Sequence, residues 1–290
     1  MPKSKINIPL LTQYFADNSD RSFSLSDLES LFVDKAEEWN LPPSMTQQTF
    51  VQMLLRRTKL RELRVVSPSY SSLLRYGWGE DISPISVAIS IKDDAFFSHG
   101  SAMWIHGLGQ DEKNIFINSE QSEKPRNSGR LTQDAIHRAF QNQQRRSKRI
   151  YKYQRTTITV LNGKHTGRMD VGPSTSPSGH KVEVTSLERT LIDITVRPGY
   201  SGDLRAVLQA FRLAKNRVSV HKLIALLDKF DYTYPYHQSI GFYLKHAGYS
   251  DADQLVAKRD GLKFDFYLCH GLKDPVFDLD WRVFFPPGLK

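Results

Sequence analysis

Between Arg57 and Val66 the apolar residues of this chain change their period, and that change restricts what the first eighty residues can fold into. Upstream they recur at helical spacing: Ile8, Leu11, Tyr14 and Phe15, then Leu25, Leu28, Leu31 and Phe32, then Phe50, Met53 and Leu54. Downstream, Leu60-Arg-Glu-Leu-Arg-Val-Val66 reads as a strand. Ser67-Pro-Ser69 makes a turn, and residues 70–76 can return as its partner. The punctuation agrees. The first helix is predicted over residues 7–17. Ser24, with Asp27 three positions on, opens a second helix running to about Trp39. Leu41-Pro-Pro43 breaks the chain, and Ser44 with Gln47 forms the capping box of a third helix that ends near Thr58.

Three helices followed by a two-stranded hairpin is the order of a winged helix-turn-helix. The third helix leaves Thr46, Gln47, Gln48, Thr49 and Gln52 polar. Short polar side chains near the start of a recognition helix reach base edges in the major groove. Arg56, Arg57, Lys59, Arg61 and Arg64 fall at the helix end and in the wing, where phosphates would pass. A helical subdomain used only for packing or protein contact fits the same pattern.

The net charge of +9 is concentrated in one block. Residues 124–181 hold thirteen Lys/Arg against two Asp/Glu, whereas residues 1–80 hold ten against nine. Within that block a long helix is predicted from Leu131 to about Lys152, carrying Arg145, Arg146, Lys148 and Arg149 near its end, with Lys152 and Arg155 beyond them. Cations at a helix C-terminus complement its dipole, but four in five positions exceed that need. They are candidates for the backbone of DNA or for RNA, because each neutralised phosphate releases a counterion. A solvated face is the alternative. The chain has no run of about 18 apolar residues, so no membrane span is expected. Residues 1–6 lack the apolar stretch of a signal peptide, and the single Cys269 excludes an internal disulfide or a multi-cysteine metal site. A cytoplasmic protein with no cofactor is expected.

The remainder reads as an α+β chain with a largely helical end. Strands are predicted over 86–91, 114–118, 156–161 and 181–184, and a helix over 96–106 ending at Gly107. Asn162-Gly163 is the signature of a hairpin turn, and residues 172–179 read as a flexible Ser/Pro/Gly loop. Thr185 with Glu188 forms a second capping box, for a helix that buries Leu187, Leu191 and Ile194 and stops at Pro198. Helices follow over 204–215, 220–228, 236–247 and 251–259, then strands over 264–268 and 281–285. Catalytic constellations are weak. His99 and His106 stand seven apart, too far for one metal without other ligands. Asp170 with Glu183-Val-Thr185 faintly resembles a metal-nuclease strand, but Thr185 occupies the lysine position. Arg189 and Asp193 have the spacing of an intrahelical ion pair, and Cys269 and His270, if on a strand, point to opposite faces.

Several phrases together resemble the AbiEi-type antitoxins of bacterial abortive-infection systems. They are Arg75-Tyr-Gly-Trp-Gly79, then Ser98-His99 with Ser101-Ala102 and His106-Gly107-Leu108. The third is the stretch 185–198 with Glu188, Arg189, Asp193 and Arg197, and the fourth is Asp231-Tyr-Thr-Tyr-Pro-Tyr-His-Gln238 with Ile240-Gly-Phe-Tyr-Leu244. The likeness is weakest over residues 1–60. It implies a winged helix-turn-helix over residues 1–80 and a mixed α/β antitoxin domain over 81–290, the latter with a basic segment at 124–181 and a helical part at 185–260. It implies a repressor that binds inverted repeats of promoter DNA and counteracts a nucleotidyltransferase-like toxin without a stable complex. RNA is a further partner that it implies. It supplies no catalytic residue. Two readings from other classes stay open: a nuclease using Asp170 and Glu183, and a protein-binding module that does not touch DNA.

Overall fold

A computed structural model describes residues 5–18, 21–109, 113–123, 129–258 and 261–290. Its architecture is mixed α+β, with eleven α-helices and twelve strands among the described residues. No helix among them is long and apolar enough to cross a membrane. The chain divides into two compact units, Met1–Ala95 with Lys148–Thr159, and Phe96–Ser147 with Val160–Lys290. The expected boundary at residue 80 differs from this division by the stretch 81–95 and by Lys148–Thr159.

The first unit begins with α1 (Ile8–Asp17), β1 (Ser22–Phe23), α2 (Leu25–Asp34), α3 (Gln47–Arg57), β2 (Leu60–Val65) and β3 (Leu73–Trp78). The strands pair antiparallel in the order β1-β3-β2, with Phe23 opposite Tyr76 and Leu63 opposite Arg75. The short strand β1 has no counterpart in the sequence reading. Ser24 caps α2 as expected, in a capping box with Asp27. The helix ends at Asp34 and not near Trp39, yet Trp39 is fully buried, stacking on Phe50 at 6.0 Å. Phe15 stacks on Trp78 at 5.3 Å, so one aromatic core joins the helices to the sheet.

The cap of α3 is Thr46, not Ser44. Its Oγ1 accepts from Thr49 N at 3.2 Å, and Thr46 N donates to Thr49 Oγ1 at 2.9 Å. The two possible boxes overlap in sequence, and the one that follows the prolines at a wider distance forms. After β3 comes α4 (Pro84–Ile89), where a strand was expected over 86–91. Ser83 Oγ accepts from Ile85 N, and Pro84 sits in the first helical turn, where its missing N–H costs nothing.

The second unit opens with β4 (Phe96–Phe97), α5 (His99–Ile105), β5 (Asn114–Asn118) and α6 (Gln133–Gln141). Phe96 and Phe97, expected in the helix, form a strand instead, and α6 stops eleven residues short of Lys152. Beyond Phe140 the stretch 141–149 has no apolar residue to bury, so tertiary packing no longer supports a helix. Ser147 is held extended instead, with its N–H donating to Tyr200 Oη and its Oγ to Val160 O.

The chain then rejoins the first unit as β6 (Ile150–Tyr153), which pairs antiparallel with β7 (Thr156–Leu161) from Ile150↔Thr159 to Tyr153↔Thr156. The hairpin turn is therefore Gln154-Arg155 and not Asn162-Gly163. Val66 bridges to Lys152, so this hairpin continues from the end of β2.

The second unit resumes with β8 (Val171–Thr175), β9 (Lys181–Thr185) and α7 (Leu187–Val196). Strands β5, β4, β9 and β8 lie side by side in that order, with Phe97 parallel to Val184. Residues 172–175 of the expected loop are strand β8, paired antiparallel with β9, and residues 176–179 form the turn between them. The cap of α7 is Ser186, whose Oγ accepts from Arg189 N, and not Thr185. Helices α8 (Leu204–Ala214), α9 (Val220–Phe230), α10 (Tyr236–His246) and α11 (Asp251–Lys258) follow close to expectation, and Arg259 lies outside the described residues. Strands β10 (Phe266–Tyr267), β11 (Val276–Asp278) and β12 (Val283–Phe285) form a small sheet in the order β10-β12-β11. The apolar faces of α7 to α10 make the main core of this unit, with Trp281 fully buried against Gly241.

Candidate functional site

In the first unit every sequence-selected residue of α3 and the following strand is exposed: Thr46, Gln47, Gln48, Thr49, Gln52, Arg56, Arg57, Lys59, Arg61 and Arg64. Phe50, Val51, Met53 and Leu54 point inward, which leaves Gln48, Gln52 and Arg56 as one stripe at i, i+4 and i+8. Three of the ten residues have a local partner. Thr46 and Thr49 are tied into the cap, with Thr49 Oγ1 also donating to Thr46 O at 2.9 Å. Arg61 pairs with Glu80 at 3.0 Å, both highly exposed, so the pair holds it only loosely.

The basic run divides between the units: Arg145 and Arg146 belong to the second, and Lys148, Arg149, Lys152 and Arg155 to the first. All six are exposed, and none lies on the long helix that the sequence predicted. Residues 124–128, with Lys124 and Arg126, lie outside the described residues. In β2, Leu63 and Val65 are buried while Arg64 and Val66 are exposed. Residues paired across strands share a face, so the Val66↔Lys152 bridge puts Lys152 on the exposed face that carries Arg64.

The second unit contains a cavity of about 1010 Å³. Of the seven residues His99, Ser101, His106, Glu188, Arg189, Asp193 and Arg197, four line it: His99, Arg189, Asp193 and Arg197. The other three act elsewhere. Ser101 Oγ accepts from Phe116 N at 2.8 Å, and His106 Nε2–H donates to Thr185 O at 2.7 Å. Glu188 accepts from Ser219 N at 3.2 Å and from Lys222 Nζ at 3.1 Å, which ties α7 to the start of α9.

Arg189 is the buried cation of the cavity. Its Nη2 donates to Glu120 Oε1 at 3.0 Å and its Nη1 to Met169 O, with the guanidinium 4.9 Å from the Phe96 ring centre and 5.2 Å from that of Phe230. Burial pushes the Glu120 carboxyl up, but hydrogen bonds from Thr166, Arg189 and Arg168 N outweigh it and hold the carboxyl below the usual range. The expected Arg189–Asp193 pair is stretched to 3.8 Å, beyond hydrogen bonding. Arg189 Nε and Asp193 Oδ2 are both buried without a hydrogen-bond partner. Burial raises the Asp193 carboxyl to about 6 against the pull of Arg189. Burial, and then the charges of Arg197 and Arg189, depress His99 to about 3, so its imidazole is neutral. His99 has φ of +50°, in the left-handed region, and its Nδ1 lies 2.9 Å from Ser98 Oγ.

The wall includes residues the sequence reading missed. Asn118 Oδ1 accepts from Gly163 N at 2.8 Å, and Lys164 Nζ donates to Phe230 O at 2.6 Å. Lys164 also lies 5.3 Å from the centre of the half-buried Tyr232 ring. Tyr232, Tyr234 and Tyr236 of the fourth resembling phrase also line the cavity. Nothing in the neighbours of Glu120 marks it, because its partners come from 46 to 69 positions away.

Asp170 and Glu183, the nuclease candidates, are engaged separately. Asp170 Oδ2 accepts from Ser186 Oγ at 3.0 Å and pairs with Lys222 at 3.2 Å, whereas Glu183 pairs with Arg168 at 3.2 Å. Cys269 and His270 stand beyond β10. Burial raises the thiol to about 11, and His270 Nδ1–H donates to Ala139 O at 3.0 Å. Among known proteins, no family model and no curated sequence matches this chain.

Proposed function

We propose that this chain is a transcriptional repressor and antitoxin of the AbiEi kind, which grips promoter DNA with its first unit as a winged helix-turn-helix. One observation carries the reading: the order α1-β1-α2-α3-β2-β3 with the sheet order β1-β3-β2, together with the exposed stripe Gln48, Gln52 and Arg56. In such a module α3 enters the major groove, where glutamine amides read adenine edges. Arg57, Lys59 and Arg64 contact phosphates beside it, and Lys152 extends that cationic face through its bridge to Val66. The cations from Lys148 to Arg155 serve DNA backbone or RNA. The second unit counteracts a nucleotidyltransferase-like toxin in the cytoplasm, a role that rests on the resemblance of its phrases.

Fluorescence anisotropy tests the DNA reading. A duplex spanning the region upstream of the coding sequence should bind about a thousandfold more tightly than a scrambled duplex at equal salt. Equal binding of the two would refute the repressor. Co-expression with an adjacent nucleotidyltransferase-like reading frame tests the antitoxin part: growth is restored if that part is right and stays arrested if it is wrong.

A further inference from the structure

The cavity of the second unit has a layered chemistry. Its floor is formed by the buried Arg189 and Asp193, whose Nε and Oδ2 have no hydrogen-bond partner. Its wall is aromatic: Tyr232 lies edge-on to Phe230 at 6.0 Å and to Tyr236 at 5.4 Å. Its rim is predominantly cationic: Arg145, Lys164 and Lys229 are exposed and Arg197 half-buried, beside the exposed carboxylates Glu123 and Asp231. Arg197 lies 6.0 Å from the Tyr200 ring centre and is close enough for its charge to act on Asp193.

We infer that this cavity binds a nucleoside phosphate, with the base edge on Asp193 and Arg189, the base face on Tyr232, and the phosphates on Arg197 and the rim. Each layer excludes a simpler ligand. An apolar molecule would leave Arg189 Nε and Asp193 Oδ2 without a hydrogen-bond partner. Inorganic phosphate would use the rim and leave the floor and wall untouched. A planar heterocycle with adjacent donors and acceptors satisfies the floor, and its faces suit a tyrosine wall beside cations. The volume of about 1010 Å³ is ample for a mononucleotide or for the terminal nucleotide of an RNA. All the residues that line it belong to the second unit.

Titration calorimetry on the full chain, with the four ribonucleoside triphosphates, a short oligoribonucleotide and inorganic phosphate as separate probes, tests the inference. Saturable binding of at least one nucleotide or of the oligoribonucleotide is expected, and the tighter of the two identifies the source. Arg197→Gln and Tyr232→Leu should each weaken that binding about tenfold, with unchanged thermal melting and unchanged promoter binding. Lack of saturation by every nucleotide and by the oligoribonucleotide at millimolar concentration overturns the inference. So does phosphate binding as tight as nucleotide binding, or indifference to both substitutions in variants that melt like the parent.

Discussion

Arg189 and Glu120 meet across 69 positions of sequence, with Nη2 3.0 Å from Oε1 and both side chains at least nine-tenths buried. Thr166, Arg168 and Met169 complete the arrangement around the pair. Removing one partner of a buried pair leaves an uncompensated charge. Glu120→Ala should therefore destabilise the second unit by about 3 kcal/mol or more. Urea denaturation followed by near-ultraviolet circular dichroism measures this, and an unchanged midpoint would show that the pair does not hold the fold.

Asp193 gives a pH signature of defined sign. Its carboxyl is raised to about 6 in the folded chain, so its contribution is full below the unfolded carboxylate value and is lost as pH rises through about 6. Asp193→Asn removes that loss. Relative to the parent it should gain roughly 3 kcal/mol between pH 4 and pH 8, the equivalent of about two pKa units. Parallel stability curves for the two proteins would rule this out.

His99 acts with the opposite sign. Its imidazole is depressed to about 3, so the stability it contributes is full above its unfolded value near 6.5 and declines as pH falls. His99→Gln should flatten the fall in melting temperature between pH 6.5 and pH 4. A decline as steep as the parent's would assign that limb to other groups.

Gly241 lies inside α10 against Trp281, where an added methyl would overlap the indole ring. The ring is fully buried in the main core and cannot step aside. Gly241→Ala should cost about 3 kcal/mol despite alanine's better helix propensity. A variant as stable as the parent would mean that the core at Trp281 yields.

These relationships differ in how far the sequence foretold them. Helices α8 to α11 were legible because each carries its own apolar stripe and a local cap or stop. Two errors came from local signals that competed. Ser44-x-x-Gln47 and Thr46-x-x-Thr49 are both box-like, and only the second holds α3. The apolar run at 86–91 fits strand or helix by length, and Ser83-Pro84 should have decided for helix. Other features depend on distant partners. Strand β8 exists because β9 lies beside it, and the run of arginines after Phe140 is extended because Tyr200 and Val160 hold Ser147. The cavity was half visible. His99, Arg189, Asp193 and Arg197 were singled out as phrase residues, but Glu120, Asn118 and Lys164 reach it only through the fold.

The central claim is that α3 and the wing grip DNA, and the salt dependence of promoter binding tests it most directly. Arg56 and Arg57 are exposed at the end of α3, where phosphates would pass. With both replaced by alanine, the slope of log affinity against log salt should become shallower by about 2, one for each lost phosphate contact. A double variant whose salt titration superimposes on that of the parent would contradict the account.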